Sequence, residues 1–161
     1  MANDSWATPP EVVAKVEAWL GLNFMLDVCA TEENKKAQFY IDEDQDSLSC
    51  DWADYEEHGH HPGYPLWLNP PYSKPLPWCQ KAAEESRKGL IVVGLLKDDR
   101  STRWYREYVE GVASVCLVPN KRISFIDPAT GKPGKGNNFA SVLPIWTPWS
   151  TGRTGYVRID L

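Results

Sequence analysis

Asn69, Pro70, Pro71 and Tyr72 follow the apolar run Leu66-Trp67-Leu68, and these residue types in this order suit one kind of chemistry. Pro70 drives Asn69 toward an extended backbone, and each proline fixes its own φ, so the stretch is stiff. The Asn69 side-chain oxygen and the Pro70 carbonyl then become two acceptors in fixed relation, with Tyr72 as a flat surface beside them. Such a group suits a planar substrate carrying an NH2. The amino group of adenine is a poor nucleophile, because its lone pair is delocalised into the ring. Two acceptors on its two hydrogens favour a pyramidal nitrogen and collect the positive charge that develops on attack. The base has to leave its stack to arrive there, and Tyr72 would hold it once flipped. The same acceptors would serve cytosine N4, an RNA adenine or a glutamine amide. Asn and Pro are also ordinary residues of a strand-ending turn.

Other reactive residues offer less. Cys29, Cys50, Cys79 and Cys116 lie far apart with no CxxC pair, so a zinc site is not expected. A covalent route to a base would need an activated cysteine, and Cys79, on the helix after the proline pair, has nothing near it in sequence to activate it. The histidines of "HGHH" (58–61) read as an exposed loop rather than a metal site. No metal is expected. There is no signal-peptide pattern and no apolar run approaching a membrane span, so a cytoplasmic protein with reduced thiols is the expectation.

The 161 residues are 42 % hydrophobic and 24 % charged, the balance of a globular chain of one domain. Eight Trp and seven Tyr are more than a core of this size requires and fit surfaces that stack on flat ligands. The net charge of −5 argues weakly against a nucleic-acid partner, but its distribution reverses that. Residues 1–80 hold 4 Lys/Arg against 14 Asp/Glu, and residues 81–161 hold 13 against 8. The cations gather in 97–106 and 120–138, making Arg100, Arg103, Arg106, Lys121, Arg122, Lys132 and Lys135 candidates for phosphate contact.

The elements that must position these groups alternate. A helix is expected from Thr8 as N-cap, with Pro9 at its first position, Glu11 completing a capping box and Gly21 as its stop. Val12, Val13, Val16, Trp19 and Leu20 form its apolar face. Residues 23–30 read as a buried strand whose register ends on Asp27, 31–38 as a short helix capped by Thr31, and 39–41 as a brief strand. Residues 42–64 are acidic and turn-rich. The strand 65–69 precedes a helix from about Leu76 to Lys88, and 90–96 reads as a central strand buried on both faces. A helix capped by Ser101 (101–110) and strands at 112–119, 122–126 and 139–146 follow. This order predicts an α/β fold: a compact Rossmann-like sheet, mostly parallel, with antiparallel edge strands. In such sheets ligands bind beyond the carboxyl ends of the strands, where Asp27 and Asn69 both fall.

"NPPY" after a buried strand resembles motif IV of amino-methyltransferases that use S-adenosylmethionine. "WATPPEVV" (6–13), "LDVCA" (26–30), "DSLSCDW" (46–52), "LNPPYS" (68–73), "GLIVVGLL" (89–96) with Trp104, and "RISF" (122–125) occur in an order similar to the small phage-type (Dam-like) DNA N6-adenine methyltransferases. The likeness covers roughly residues 6 to 146. It implies methyl transfer from S-adenosylmethionine to adenine N6 in DNA, in line and without a covalent enzyme intermediate, in a bacterial host's cytoplasm. It also implies that Trp6, Thr8 and Pro9 line the methionine end of the cofactor and that Asp27, Val28, Cys29 and Ala30 hold its amino-acid part. Asp46 and Leu48 would flank the adenosine, while Asn69, Pro70, Pro71 and Tyr72 take the target amine. The chain departs from the family's relatives at Cys29-Ala30-Thr31, where many methyltransferases have a glycine-rich turn. A nucleic-acid-binding module without cofactor would explain that departure. The length leaves no room for a separate target-recognition domain, so specificity would come from loop 127–138, from a second subunit of a homodimer, or be weak.

Overall fold

The computed structural model describes residues 4–135 and 138–161; Gly136 and Asn137, part of the expected loop 127–138, lie outside them. The first helix, α1 (Pro10–Leu20), starts one residue later than the capping pattern suggests. Pro10 takes the first helical position, where its missing N–H costs nothing, and Pro9 stands at the cap. Thr8 is therefore not a helix cap, and its hydroxyl is used elsewhere. Gly21, at φ 73°, ends the helix by donating its N–H to the Glu17 carbonyl. Val12, Val13 and Val16 are buried, but Trp19, expected on the same face, is 44 % exposed. Half-buried Leu20, one turn beyond Val16, continues the face instead.

β1 (Leu26–Asp27) and β2 (Phe39–Tyr40) are joined by a turn where a helix was expected. Thr31 and Asn34 close on each other, each backbone N–H donating to the other's side-chain oxygen. The N–H of Lys36 donates to Asp27, so no helical ladder propagates. The acidic segment holds a single helical turn, α2 (Tyr55–His58), capped by Asp54. β3 (Leu66–Leu68), α3 (Leu76–Ser86), β4 (Val92–Gly94) and β5 (Leu96–Lys97) follow as the apolar runs suggest. In α4 (Arg103–Tyr108) the cap position is Thr102; the Ser101 hydroxyl instead donates to Asp99. β6 (Val115–Pro119), β7 (Ser141–Trp146) and β8 (Gly155–Ile159) complete the chain. Residues 122–126 alternate in burial as a strand would, yet they form no strand. Their β-pairing is an isolated bridge at Ile126, which exchanges two hydrogen bonds with Ala7 and also meets Pro133.

The sheet runs β2-β1-β3-β4-β7-β6-β8, with β5 also on β7. β2, β1, β3 and β4 are mutually parallel. β7 is antiparallel to β4, β5 and β6, and it lies inside the sheet rather than at an edge as expected. The chain returns from β6 to β7 with no helical crossover, which requires antiparallel pairing. Both edge strands are parallel to their neighbours. Strand alternation divides the core into two layers. Leu66 and Leu68 face the side packed by α3 and α4, while Trp67 faces the side packed by α1.

Candidate active site

Four parallel strands bring their carboxyl ends to one edge of the sheet, where Asp27 closes β1 and Asn69 follows β3. A cavity of about 430 Å³ lies there, within the range of small-molecule sites. Of the residues expected to hold a cofactor, Trp6, Thr8, Asp27, Val28, Cys29, Ala30 and Asp46 line it. Asn69 and Pro71 share the same wall. Leu48 is exposed and outside the wall, where buried Ser47 stands instead. The Trp52 indole N–H donates to both the carbonyl and the hydroxyl of Ser47 and draws it inward. Pro9 is buried beside a different hollow.

The cavity wall is acidic and aromatic. Asp4, Asp27, Asp42, Glu43 and Asp46 contribute carboxyl groups, and the partly exposed Trp6 and Trp78 stand among them, while Trp67 is fully buried with its ring against Phe24. Asp42, Glu43 and Trp78 escaped sequence reasoning, although Asp42 comes just after β2 as Asp27 ends β1. Asp46 adopts φ 49°, a left-handed conformation that a short polar side chain tolerates better than most. Asp27 is 2 % exposed. Burial raises its carboxyl from 3.8 to about 7, against the backbone N–H groups of Lys36 and Cys29 and the Lys36 charge, which lower it. Those N–H groups donate to its two oxygens, at 2.9 Å from Lys36 and 3.2 Å from Cys29. The side chain thereby braces a turn that has no glycine. Val28 and Ala30 are held by backbone bonds to Trp67 and Ile41 on either side.

The N-terminal segment straps this edge. Ser73, just after the Asn-Pro-Pro-Tyr stretch, donates its N–H and hydroxyl to Asp4. Ala7 pairs with Ile126, and Thr8 accepts a hydrogen bond from the Asn69 amide nitrogen at 2.9 Å. The Trp6 ring lies against Gly134 so closely that a Cβ there would meet it at 2.0 Å. Gly134 is thus the residue type this contact requires.

Pro70 is buried, and Tyr72 packs away from the cavity. The Tyr72 ring meets Phe125 and Phe139 edge-on at 6.2 and 5.7 Å. Its hydroxyl is buried, and burial pushes its ionisation far up. The Lys97 ammonium lies 4.6 Å from the Phe139 ring centre and 5.9 Å from that of Tyr72. No cysteine near the site is primed for attack: burial, aided by Asp27, pushes the Cys29 thiol up to about 12, and Cys79 is fully buried with its thiol raised too.

All seven candidate phosphate ligands are exposed, but they fall into two groups. On and before α4, Arg103 pairs with Glu107 at 2.9 Å and Arg100 stacks over Tyr156 at 4.6 Å, so both have intramolecular partners. The Arg106 Nε donates at 3.4 Å to the Thr102 carbonyl. Lys121 and Arg122 line a hollow of about 250 Å³ together with Pro9 and Lys15, a lysine whose place in α1 hides it from a search for basic runs. Lys132 and Lys135 stand on the neighbouring loop. His58 and His60 hydrogen-bond the carbonyls of Asp51 and Trp52, so the histidine cluster clamps a loop. Among the described residues no group of three or more His, Cys, Asp or Glu could hold a metal ion, and no helix is long and apolar enough to cross a membrane.

A family model described as DNA N-6-adenine-methyltransferase (Dam) matches residues 1–160. The chain is similar to a DNA N-6-adenine-methyltransferase of Haemophilus phage HP1, with 34 % identity over 97 % of this chain and 87 % of that one. It is similar to the protein of the same name from Escherichia phage T1, with 31 % identity over 97 % of this chain and 69 % of the relative. No solved structure matches it.

Proposed function

Because this chain belongs to the DNA N-6-adenine-methyltransferase (Dam) family, we propose that it methylates adenine N6 in DNA, from S-adenosylmethionine, at the strand ends carrying Asp27 and Asn69. The observation that carries the reading is a cation-friendly cavity whose wall includes Asn69. S-adenosylmethionine bears a sulfonium and an ammonium, a ribose and a flat base. The carboxylates suit the positive groups and the hydroxyls, and the indoles of Trp6 and Trp78 suit both base and cation. When bound, the cofactor supplies an electrophilic methyl group. Asp27 and residues 28–30 hold its amino-acid part; Asp42, Glu43 and Asp46 serve the adenosine side.

The chain's own work is orientation and electrostatics. The Asn69 Oδ1 and the Pro70 carbonyl accept the two hydrogens of the target amine and stabilise the charge that grows on nitrogen during attack. No general base is required before transfer, since the charged amine sheds its proton readily afterwards. The adenine reaches the site by leaving the duplex stack. Lys121, Arg122, Lys132 and Lys135, with the α4 arginines, contact phosphates, and the DNA is met in the cytoplasm of a bacterial host. The chain works as a single catalytic domain.

The test is transfer of a labelled methyl group to unmethylated DNA, followed by nucleoside analysis. Wild type should yield N6-methyladenine, and Asn69→Ala should lose it while keeping its fold and its cofactor affinity. An Asn69→Ala protein as active as wild type, or label found in N4-methylcytosine alone, overturns the reading.

A further inference from the structure

We propose that Lys36 binds the α-carboxylate of S-adenosylmethionine, beside Asp27 as the partner of the cofactor's α-ammonium. The inference rests on the reading of the cavity as the cofactor site, and it adds the group that takes the cofactor's one negative charge. An amino acid carries its two charges one carbon apart, so a site for it needs an anion and a cation side by side. The cavity wall has five carboxyl groups, and Lys36 is the one lysine or arginine among the described residues that line it. The backbone ties it to Asp27, its N–H donating to Asp27 Oδ2 at 2.9 Å. That bond holds the Lys36 main chain at the carboxylate and leaves the ammonium for another anion.

The backbone donors that follow β1 are already spent. A turn after a strand can hold an anion on its N–H groups. Here the N–H of Val28 donates to Trp67, that of Cys29 to Asp27, that of Ala30 to Ile41 and that of Thr31 to the Asn34 side chain. A ligand carboxylate therefore finds no free N–H from 28 to 31. The Lys36 ammonium is in the opposite condition. Its neighbour Lys35 is engaged, 2.9 Å from Glu32 and 5.1 Å from the centre of the Tyr40 ring. Lys36 is half-buried, and the ion pairs among the described residues do not include it. Burial pushes its ammonium below the ordinary 10.5, against the Asp27 charge, which raises it. A partly desolvated cation without a contact anion gains from a carboxylate what water no longer supplies.

Calorimetry with S-adenosylmethionine and with its decarboxylated form tests this, because the two ligands differ by the carboxylate alone. An acidic wall without Lys36 would favour the decarboxylated ligand, whose net positive charge is larger. Wild type should instead bind S-adenosylmethionine about 10-fold tighter or more, the scale of one charge-assisted hydrogen bond. Lys36→Met should lose that preference or reverse it, with no loss of affinity for the decarboxylated ligand. Lys36→Arg should keep most of the preference and Lys35→Met all of it. The proposal is overturned if Lys36→Met keeps the wild-type preference. It is also overturned if Lys36→Met weakens both ligands equally, since Lys36 would then brace the wall rather than meet the carboxylate. Wild type alone separates the two readings: if it binds neither ligand at millimolar concentration, the cofactor reading itself fails; if it binds both without preferring S-adenosylmethionine, only the role of Lys36 fails.

Discussion

Replacing Asp27 by asparagine separates charge from shape at the cavity wall. Burial is the largest influence on this carboxyl and raises it from 3.8 to about 7. The folded protein thus keeps a proton that the unfolded chain gives up. Where the native state binds more protons, stability falls as pH rises. For Asp27 the stability is full below about pH 4 and is lost progressively until the folded carboxyl ionises near about 7. Roughly three pH units at about 1.36 kcal/mol each make about 4 kcal/mol across that window. The amide introduced by Asp27→Asn does not titrate, and its NH2 faces one of two backbone donors, so the variant carries a constant cost without this slope. The difference between the two proteins should therefore shift by up to about 4 kcal/mol in favour of the variant between about pH 4 and about pH 8, with other carboxylates cancelling. Urea unfolding followed by tryptophan fluorescence measures it. A cationic ligand needs the ionised form, so affinity for S-adenosylmethionine should rise about tenfold from about pH 6 to about pH 8 in wild type and much less in Asp27→Asn. Parallel stability profiles for the two proteins would refute the reasoning, because they would mean that Asp27 is ionised throughout and that its hydrogen bonds outweigh its burial.

Gly134→Ala should weaken cofactor binding about tenfold by displacing the Trp6 ring, which a Cβ would meet at 2.0 Å; unchanged affinity by calorimetry would remove Trp6 from the working wall. Glu85, 1 % exposed, pairs with Lys81 at 2.6 Å and Lys88 at 3.0 Å, and Lys81 in turn donates to the Cys50 carbonyl. Glu85→Ala strands the largely buried Lys81 and should cost about 3 kcal/mol, seen as a lower urea midpoint. Lys132→Ala and Lys121→Ala should each reduce the slope of log affinity for DNA against log salt by about 0.9. A slope equal to wild type would place that lysine off the phosphate path.

The long apolar runs were the legible part of the fold. Leu66-Trp67-Leu68 had to be a strand between Pro65 and Asn69, and 90–96 had to be central. Proline at the start and glycine at the end framed α1. What misled were signals with two physical meanings. Thr8 followed by Glu11 reads as a capping box, but the hydroxyl belongs to a partner 61 residues away, which local spacing cannot express. Ile123 and Phe125 alternate as in a strand because they anchor a loop to the core rather than join a ladder. Strand β8 went unseen because Gly155 to Arg158 are all exposed, leaving no burial pattern to read. At the site, Asp27 and Asn69 were legible from chain order alone. Asp42, Glu43 and Trp78 were not, since only the sheet brings the segments after β2 and β3 to one cavity.

The interior place of β7 sets the order in which this molecule can be completed during synthesis. Asp27, Asn69 and Thr8 all leave the ribosome long before Ser141, the first residue of β7. Until then Val92 and Val93 have β3 on one side and nothing on the other, since their partners are Trp146 and Ile145. The layer beneath α1 is equally unfinished, for it draws on Leu143, Ile145 and Ile159. A nascent or truncated chain can therefore carry Thr8, Asp27 and Asn69 while presenting an open apolar edge, the kind that pairs with other chains. Nonsense mutations late in the reading frame should yield insoluble protein rather than weak enzyme.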